Sequence, residues 1–281
     1  MIDDDDPLRL LPFERWIPLQ DTFKLNWPRS ISAVAGLEIQ RRWKKQGIDY
    51  DFKVYCPFND VRNGMVAVNV KATFYEIIIQ CPSNDTDKLK EALKKTKVID
   101  WNKEVTVPYV HRNVIDCLKS IVEEMDLELD IHEFYETFVL EKAEFEDVSL
   151  PPNVTFGPIT MEHLDLVDST WPNRYDTSPW HFKLLIENKF GYGLFINDAL
   201  VCWVFMKEVG PLQHLYTVEE HRKKGYAALL LKLVSKIWVT DGIPLIAFCY
   251  KDNVGACKTY KKLGFAQTEQ IAWCVLNKKA K

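Results

Sequence analysis

The stretch Leu215-Tyr-Thr-Val-Glu-Glu-His-Arg-Lys-Lys-Gly-Tyr-Ala227 decides how the second half of the chain folds. It reads as the end of a strand, a basic loop and the opening of a helix. Beyond it, Leu229, Leu230, Leu233, Val234 and Ile237 recur at helical spacing, so the helix buries one apolar face. Arg222, Lys223 and Lys224 stand just before the first turn. A helix N-terminus carries about half a positive charge, so each cation there costs about 0.3 kcal/mol or more. A bound anion removes the conflict, because the free N–H groups of the first turn make a cradle for phosphate. Gly225 lets the backbone turn and approach closely, and Ala227 and Ala228 keep side chains clear of a ligand. Taken alone, these residues also suit a solvated basic turn before an ordinary helix. The loop lacks G-x-x-x-x-G-K-[ST] and G-x-G-x-x-G, which excludes a P-loop and a dinucleotide fingerprint.

Outward from this loop the second half alternates regularly. Met161–Ser169 and Trp180–Asn188 read as helices around the polar-aromatic loop 170–180. Tyr192–Ile196 and Leu200–Met206 flank Asn197-Asp198, a hairpin turn pair. Leu212–Val218 reads as a strand, Gly225–Val239 as a helix, and Leu245–Tyr250 as a strand apolar on both faces, hence central. Asn253–Leu263 reads as a helix capped by Asn253, with Gly264 as its left-handed stop. Ala272–Leu276 is a final strand. Strand, helix, strand at this length implies a parallel crossover unit. The fold class is therefore α/β (α+β), a mixed central sheet flanked by helices.

The first half is also mixed. Ile31–Gln46, Asp85–Thr96 and His111–Met125 read as helices, and Phe52–Cys56, Met65–Val70, Phe74–Gln80 and Phe134–Leu140 as strands. The boundary falls between Lys142 and Pro158, where acids and three prolines replace periodicity. This gives an N-terminal domain over 1–148 and a C-terminal domain over 155–281. No catalytic constellation stands out in the first half, and the spacing of Cys56, Cys81 and His111 fits no metal-ligand pattern.

The 281 residues carry a formal net charge of −4, which argues against a nucleic-acid partner. No run of 18 apolar residues is present, so no membrane span is expected. Met1–Pro7 holds four consecutive aspartates and resembles neither a secretory signal nor a transit peptide. Seven scattered cysteines without a C-x-x-C pair suggest reduced thiols. The expected location is cytoplasmic rather than mitochondrial.

Two segments together carry a family resemblance. Arg222, Gly225 and Ala227 match [QR]-x-x-G-x-[GA], and Asn253, Ala256, Tyr260, Gly264 and Phe265 match N-x-x-A-x-x-x-Y-x-x-x-G-F, one strand further on. In this order they resemble the GNAT superfamily of acyl-CoA-dependent N-acyltransferases, over about residues 155–276. Within it the chain is most similar to the glycine N-acyltransferase-like group, in which the front half looks like a degenerate copy of the same fold. Phe74–Leu93 has strand-then-helix order without a basic glycine loop, so no second coenzyme site is expected there.

The resemblance implies an acyl-CoA co-substrate, no metal and an amine acceptor, glycine or another amino acid. It implies that Leu215, Tyr216 and Thr217 pair with the pantetheine arm through their backbone. Arg222, Lys223, Lys224, Gly225, Tyr226 and Ala227 would wrap the pyrophosphate, Asn253 would support the arm, and Tyr260 would protonate the leaving thiolate. A glutamate on the strand before the loop is the usual base, and none lies between Gly210 and Val218. Gln213 and His214 are the polar candidates there besides Tyr216, and His214 has the intrinsic pKa for the task. Glu219 and Glu220 lie too close to the phosphate loop. Trp171 and Arg174 stand at the expected acceptor cleft, where Arg174 suits a carboxylate. The missing glutamate equally suits a non-catalytic acyl-CoA binder or scaffold, and the acidic balance a protein N-acetyltransferase.

Overall fold

The computed structural model describes residues 5–143, 145 and 148–279. In chain order the elements are β1 (Leu8–Leu10), α1 (Trp16–Lys24), α2 (Ile31–Lys45), β2 (Lys53–Pro57), β3 (Met65–Lys71), β4 (Phe74–Gln80), α3 (Asp87–Lys95), β5 (Val105–Val110), α4 (Arg112–Ile121) and β6 (Leu127–Leu140). There follow β7 (Val154–Pro158), α5 (Leu164–Ser169), α6 (Ser178–Glu187), β8 (Gly191–Ile196), β9 (Ala199–Met206), β10 (Pro211–Thr217), α7 (Tyr226–Trp238), β11 (Leu245–Tyr250), α8 (Val254–Lys262), β12 (Ala266–Gln267) and β13 (Ile271–Lys278).

The chain divides into two compact units, Met1–Glu136 with Thr268–Lys281, and Thr137–Gln267. The sequence places the division in the proline-rich stretch instead, and the last strand with the second half. Pairing accounts for the difference. β13 is antiparallel to β5 (Leu276↔Val105) and to β6 (Ile271↔Tyr135), so its backbone bonds lie with the first unit.

Each unit runs through the same order: strand, two helices, three antiparallel strands, helix, strand, helix, strand. In the first unit the strand order is β1-β2-β3-β4-β5-β13-β6, with β4 and β5 parallel. Its core gathers Ile77 and Ile79 of β4, Leu89 and Leu93 of α3, Val114 and Leu118 of α4, and Leu276. In the second unit β7-β8-β9-β10 is antiparallel and β10-β11 parallel, while β12 pairs with the end of β6 (Ala266↔Val139). This is the mixed α/β class expected from the sequence.

Local chemistry explains the elements that frame the site. Asn197 and Asp198 both take positive φ, 49° and 65°, the backbone of a two-residue turn matched to strand twist. β8 can lie against β9 because Gly191 has no side chain: a Cβ there would come 2.3 Å from the Phe205 ring. α7 buries Leu230, Leu231, Val234 and Trp238. α8 starts where the Asn253 side chain accepts the Ala256 N–H at 3.1 Å. Among the described residues no helix is long and apolar enough to cross a membrane.

Candidate acyl-transfer site

The site begins with a fault in a ladder. β10 pairs with β9 at Gln213↔Phe205 and next at Tyr216↔Trp203, so β10 takes three steps against two. His214 absorbs the extra residue with φ 50°. Such a bulge bends its strand and re-aims the residues beyond it. On the other side the parallel ladder with β11 covers Pro211↔Ile246 and Leu212↔Ala247 and then stops, although β10 runs to Thr217 and β11 to Tyr250. Beyond the bulge, Tyr216 and Thr217 are thus held by β9 on one side, and Leu215–Thr217 has no ladder to β11 on the other. An extended ligand arm with its own amides can add there as a strand does.

Beyond Thr217 the chain enters the basic loop. Lys223 and Gly225 take φ 61° and 83°, left-handed backbone on either side of Lys224. A Cβ built on Gly225 meets nothing within 4 Å, so the space in front of the α7 N-terminus is open. Arg222 folds back, its Nε donating to the Thr217 carbonyl at 3.0 Å and its guanidinium 5.4 Å from the Tyr216 ring centre. Tyr216 in turn stacks on Trp203 at 4.7 Å. Lys223 and Lys224 are exposed and have no ion-pair partner among the described residues. Three cations, a helix N-terminus and open space favour a polyanion such as a pyrophosphate.

Tyr260, on α8, is 5% exposed and packs between Phe138 at 5.4 Å and Phe265 at 5.1 Å. Burial raises its phenol pKa above the ordinary value, with Cys249 and Cys257 adding in the same direction. It therefore stays protonated at neutral pH. Asn253 commits its side-chain oxygen to the α8 cap, so any part it plays toward a ligand falls to its other groups.

His214 is held differently from a base waiting for a proton. Its Nε2 lies 2.8 Å from the Val167 carbonyl, to which it donates, and 3.3 Å from the Thr170 hydroxyl. Burial lowers its pKa to about 4, against a smaller opposing effect of the Val167 bond. It is neutral at pH 7, with one nitrogen occupied as a donor, and its geometry ties the bulge to the end of α5. Arg174 is 58% exposed, with its Nε donating to Asp168 at 2.6 Å. Asp168 is buried and also accepts from the Ser178 hydroxyl. Trp171 packs over Phe182 at 5.0 Å and stacks with His181 at 6.0 Å. The loop 170–177 is thus pinned to α6.

Sequence reasoning missed a buried polar row behind the bulge. The Gln213 side chain lies 2.7 Å from His181 Nε2, and His181 Nδ1 lies 3.6 Å from Glu208. His181 is 1% and Glu208 0% exposed, and both sit in stretches that read as apolar from their neighbours. It also missed the bulge, for which the one local signal is that histidine tolerates positive φ better than most residues.

With this geometry in place, the likenesses to known proteins fall into line. Residues 191–274 match the FR47-like protein family. The chain is 20% identical over 206 residues to human glycine N-acyltransferase-like protein 2, covering 68% of this chain and 69% of that one. A Drosophila protein solved by a structural genomics consortium shares its fold with a TM-score of 0.86 at 18% identity, over 98% of this chain and 100% of the other. A tandem GNAT protein from the clavulanic acid biosynthesis pathway matches with a TM-score of 0.56 at 10% identity, over 98% and 99%. The resemblance to the GNAT superfamily holds, the fold is that of its members, and the class these findings support is a GNAT-type acyltransferase. Among the described residues no cluster of three or more histidine, cysteine or acidic side chains is arranged for a metal.

Proposed function

We propose that the second unit binds an acyl-CoA and passes its acyl group to a small amine, with glycine or another amino acid as the acceptor. The observation that carries this reading is the bulge at His214, beyond the last β10–β11 pair at Leu212 and ahead of a left-handed loop bearing three cations. The pantetheine arm adds to Leu215–Thr217, and the pyrophosphate lies against Arg222–Ala227 at the start of α7. Trp171 and Arg174 hold the acceptor. The neutral amine attacks the thioester carbonyl, a C–N bond forms, the C–S bond breaks, and Tyr260 gives its proton to the departing thiolate. A donor beside the sulfur acts where charge develops, in the transition state. Water takes the ammonium proton, because the buried His214, its Nε2 bonded to the Val167 carbonyl, has a pKa lowered to about 4 and is too weak a base to hold it.

That engagement also supports a second reading, a non-catalytic acyl-CoA binder whose base has been lost. Free-thiol release from acetyl-CoA, followed with glycine, an uncharged primary amine and a basic peptide, separates the readings. The account expects thiol release that depends on the amine and is fastest with glycine. Release with the peptide alone makes the protein an acetyltransferase of proteins. Tight coenzyme A binding with no release for any amine selects the binder.

A further inference from the structure

Five of the seven thiols are poor candidates for chemistry. Burial pushes Cys56 and Cys274 up to about 12, Cys117 and Cys202 up to about 11, and Cys81 upward as well. A thiol held protonated is a weak nucleophile. Cys249 and Cys257 differ in their geometry. Cys249 is near the end of β11 and Cys257 is in α8, and their sulfurs are 3.1 Å apart. Cys257 is also the cysteine that is not fully buried, so a small oxidant reaches it. A disulfide has an S–S length of about 2.05 Å, so an approach of about 1 Å closes the bond.

The position of the pair gives closure a consequence. The segment between the two cysteines contains Asn253, whose side chain caps α8, and Tyr260 lies three residues beyond Cys257. Drawing α8 toward β11 moves the cap and the Tyr260 phenol together.

We propose that Cys249 and Cys257 are an oxidisable thiol pair, closed to a disulfide by a hydroperoxide, and that closure slows acyl transfer by displacing Tyr260. The consequence for transfer rests on the function proposed above; formation of the bond does not. The Cys257 thiolate attacks one peroxide oxygen, the O–O bond breaks, and hydroxide leaves, giving a sulfenic acid. The Cys249 sulfur then attacks the sulfenic sulfur, the S–S bond forms, and the hydroxyl leaves as water with the Cys249 proton. In sum, two thiols and one hydrogen peroxide give one disulfide and two waters.

The test uses the full chain and hydrogen peroxide. Remaining thiols are blocked with iodoacetamide and the protein is digested with trypsin. Cleavage after Lys251 puts Cys249 in the peptide 237–251 and Cys257 in 252–258, which stay joined only through the disulfide. The expected result is the joined pair in most of the protein, separated by dithiothreitol, with the other five cysteines still reduced. Amine-dependent thiol release should fall at least about tenfold on oxidation, a part of the roughly 10²–10⁴-fold that a general acid supplies, and return with dithiothreitol. Cys257→Ser should keep its activity through peroxide and yield no joined peptide. Finding Cys257 as a sulfinic acid or unmodified, with no joined peptide, overturns the pair. A joined pair with unchanged turnover overturns its effect on transfer. If untreated protein has no turnover, it is the function above that fails, and the joined peptide alone then decides the pair.

Discussion

In the first unit β4 leads into α3 through residues 81–86, which hold no lysine or arginine, and α3 opens on Asp87. In the second, β10 leads into α7 through residues 218–225, which hold three cations and two left-handed residues. The strands before these loops differ too. β4 keeps an unbroken register with β3 from Met65↔Gln80 to Lys71↔Phe74, whereas β10 bulges at His214. Past the single parallel pair Glu76↔Thr106, the buried Gln80 side chain donates to the Tyr109 carbonyl at 2.7 Å and bridges the strands. The same order of elements therefore makes a sealed core in one unit and an opened sheet in the other. The acidic first turn of α3 satisfies its helix dipole without a ligand, while the basic approach to α7 calls for one.

Several substitutions press on this contrast. The largest effect is expected at Tyr260. Tyr260→Phe should leave the fold and coenzyme A affinity in place and lower kcat by about 10²-fold or more, the range of general acid help. A kcat within about twofold of the parent, with chemistry limiting, would reduce Tyr260 to a packing residue like Tyr109 of the first unit.

Next is the packing that holds β8 to the opened sheet. Gly191→Ala places a methyl 2.3 Å from the buried Phe205 ring, and should cost about 1–3 kcal/mol of stability in denaturant titration. Gly225→Ala meets no neighbour, so it should cost only the left-handed strain of about 1–2 kcal/mol. Equal losses from packing at both would contradict an open loop.

Each unit also buries a neutral histidine, His111 in the first and His214 in the second, both lowered to about 4. The unfolded chain titrates near 6.5 and so binds more protons than the folded chain between pH 4 and 6.5. Stability is thus complete above about pH 6.5 and falls as pH drops toward 4, by up to about 3 kcal/mol for each histidine. His214→Gln should flatten this decline, measured by denaturant titration at pH 7 and pH 5. An unchanged slope would mean that His214 titrates in the fold as it does in the unfolded chain.

The smallest effect is expected at Arg174. Arg174→Ala should raise KM for glycine a few-fold and change KM for an uncharged amine less. Equal changes for both would leave Arg174 only its bond to Asp168.

The sequence makes much of this legible where chemistry is local. The hairpin at Asn197-Asp198, the cap at Asn253 and the stop at Gly264 each come from residues that prefer one backbone conformation. Helix α7 and strand β11 stand out because their apolar periods are long and unbroken. Position across the sheet is not legible. The destination of β13 depends on edges supplied by Val105–Val110 and Leu127–Tyr135, far away in sequence. The sequence marks β6 only from Phe134, although the strand starts at Leu127, because acids interrupt its first half. His214 illustrates the same limit at the site. Its residue type suggests a base, and only the carbonyl of Val167 shows where its proton is held.

The contrast between the units is tested most directly by calorimetric titration of coenzyme A into the full chain and into Gly225→Glu. The account predicts one site per chain, since only the second unit combines the bulge with the basic left-handed loop. In Gly225→Glu, the added charge should weaken that site at least about tenfold, with thermal stability falling no further than the left-handed strain lowers it in Gly225→Ala. Two sites per chain, or unchanged affinity in Gly225→Glu, would contradict it.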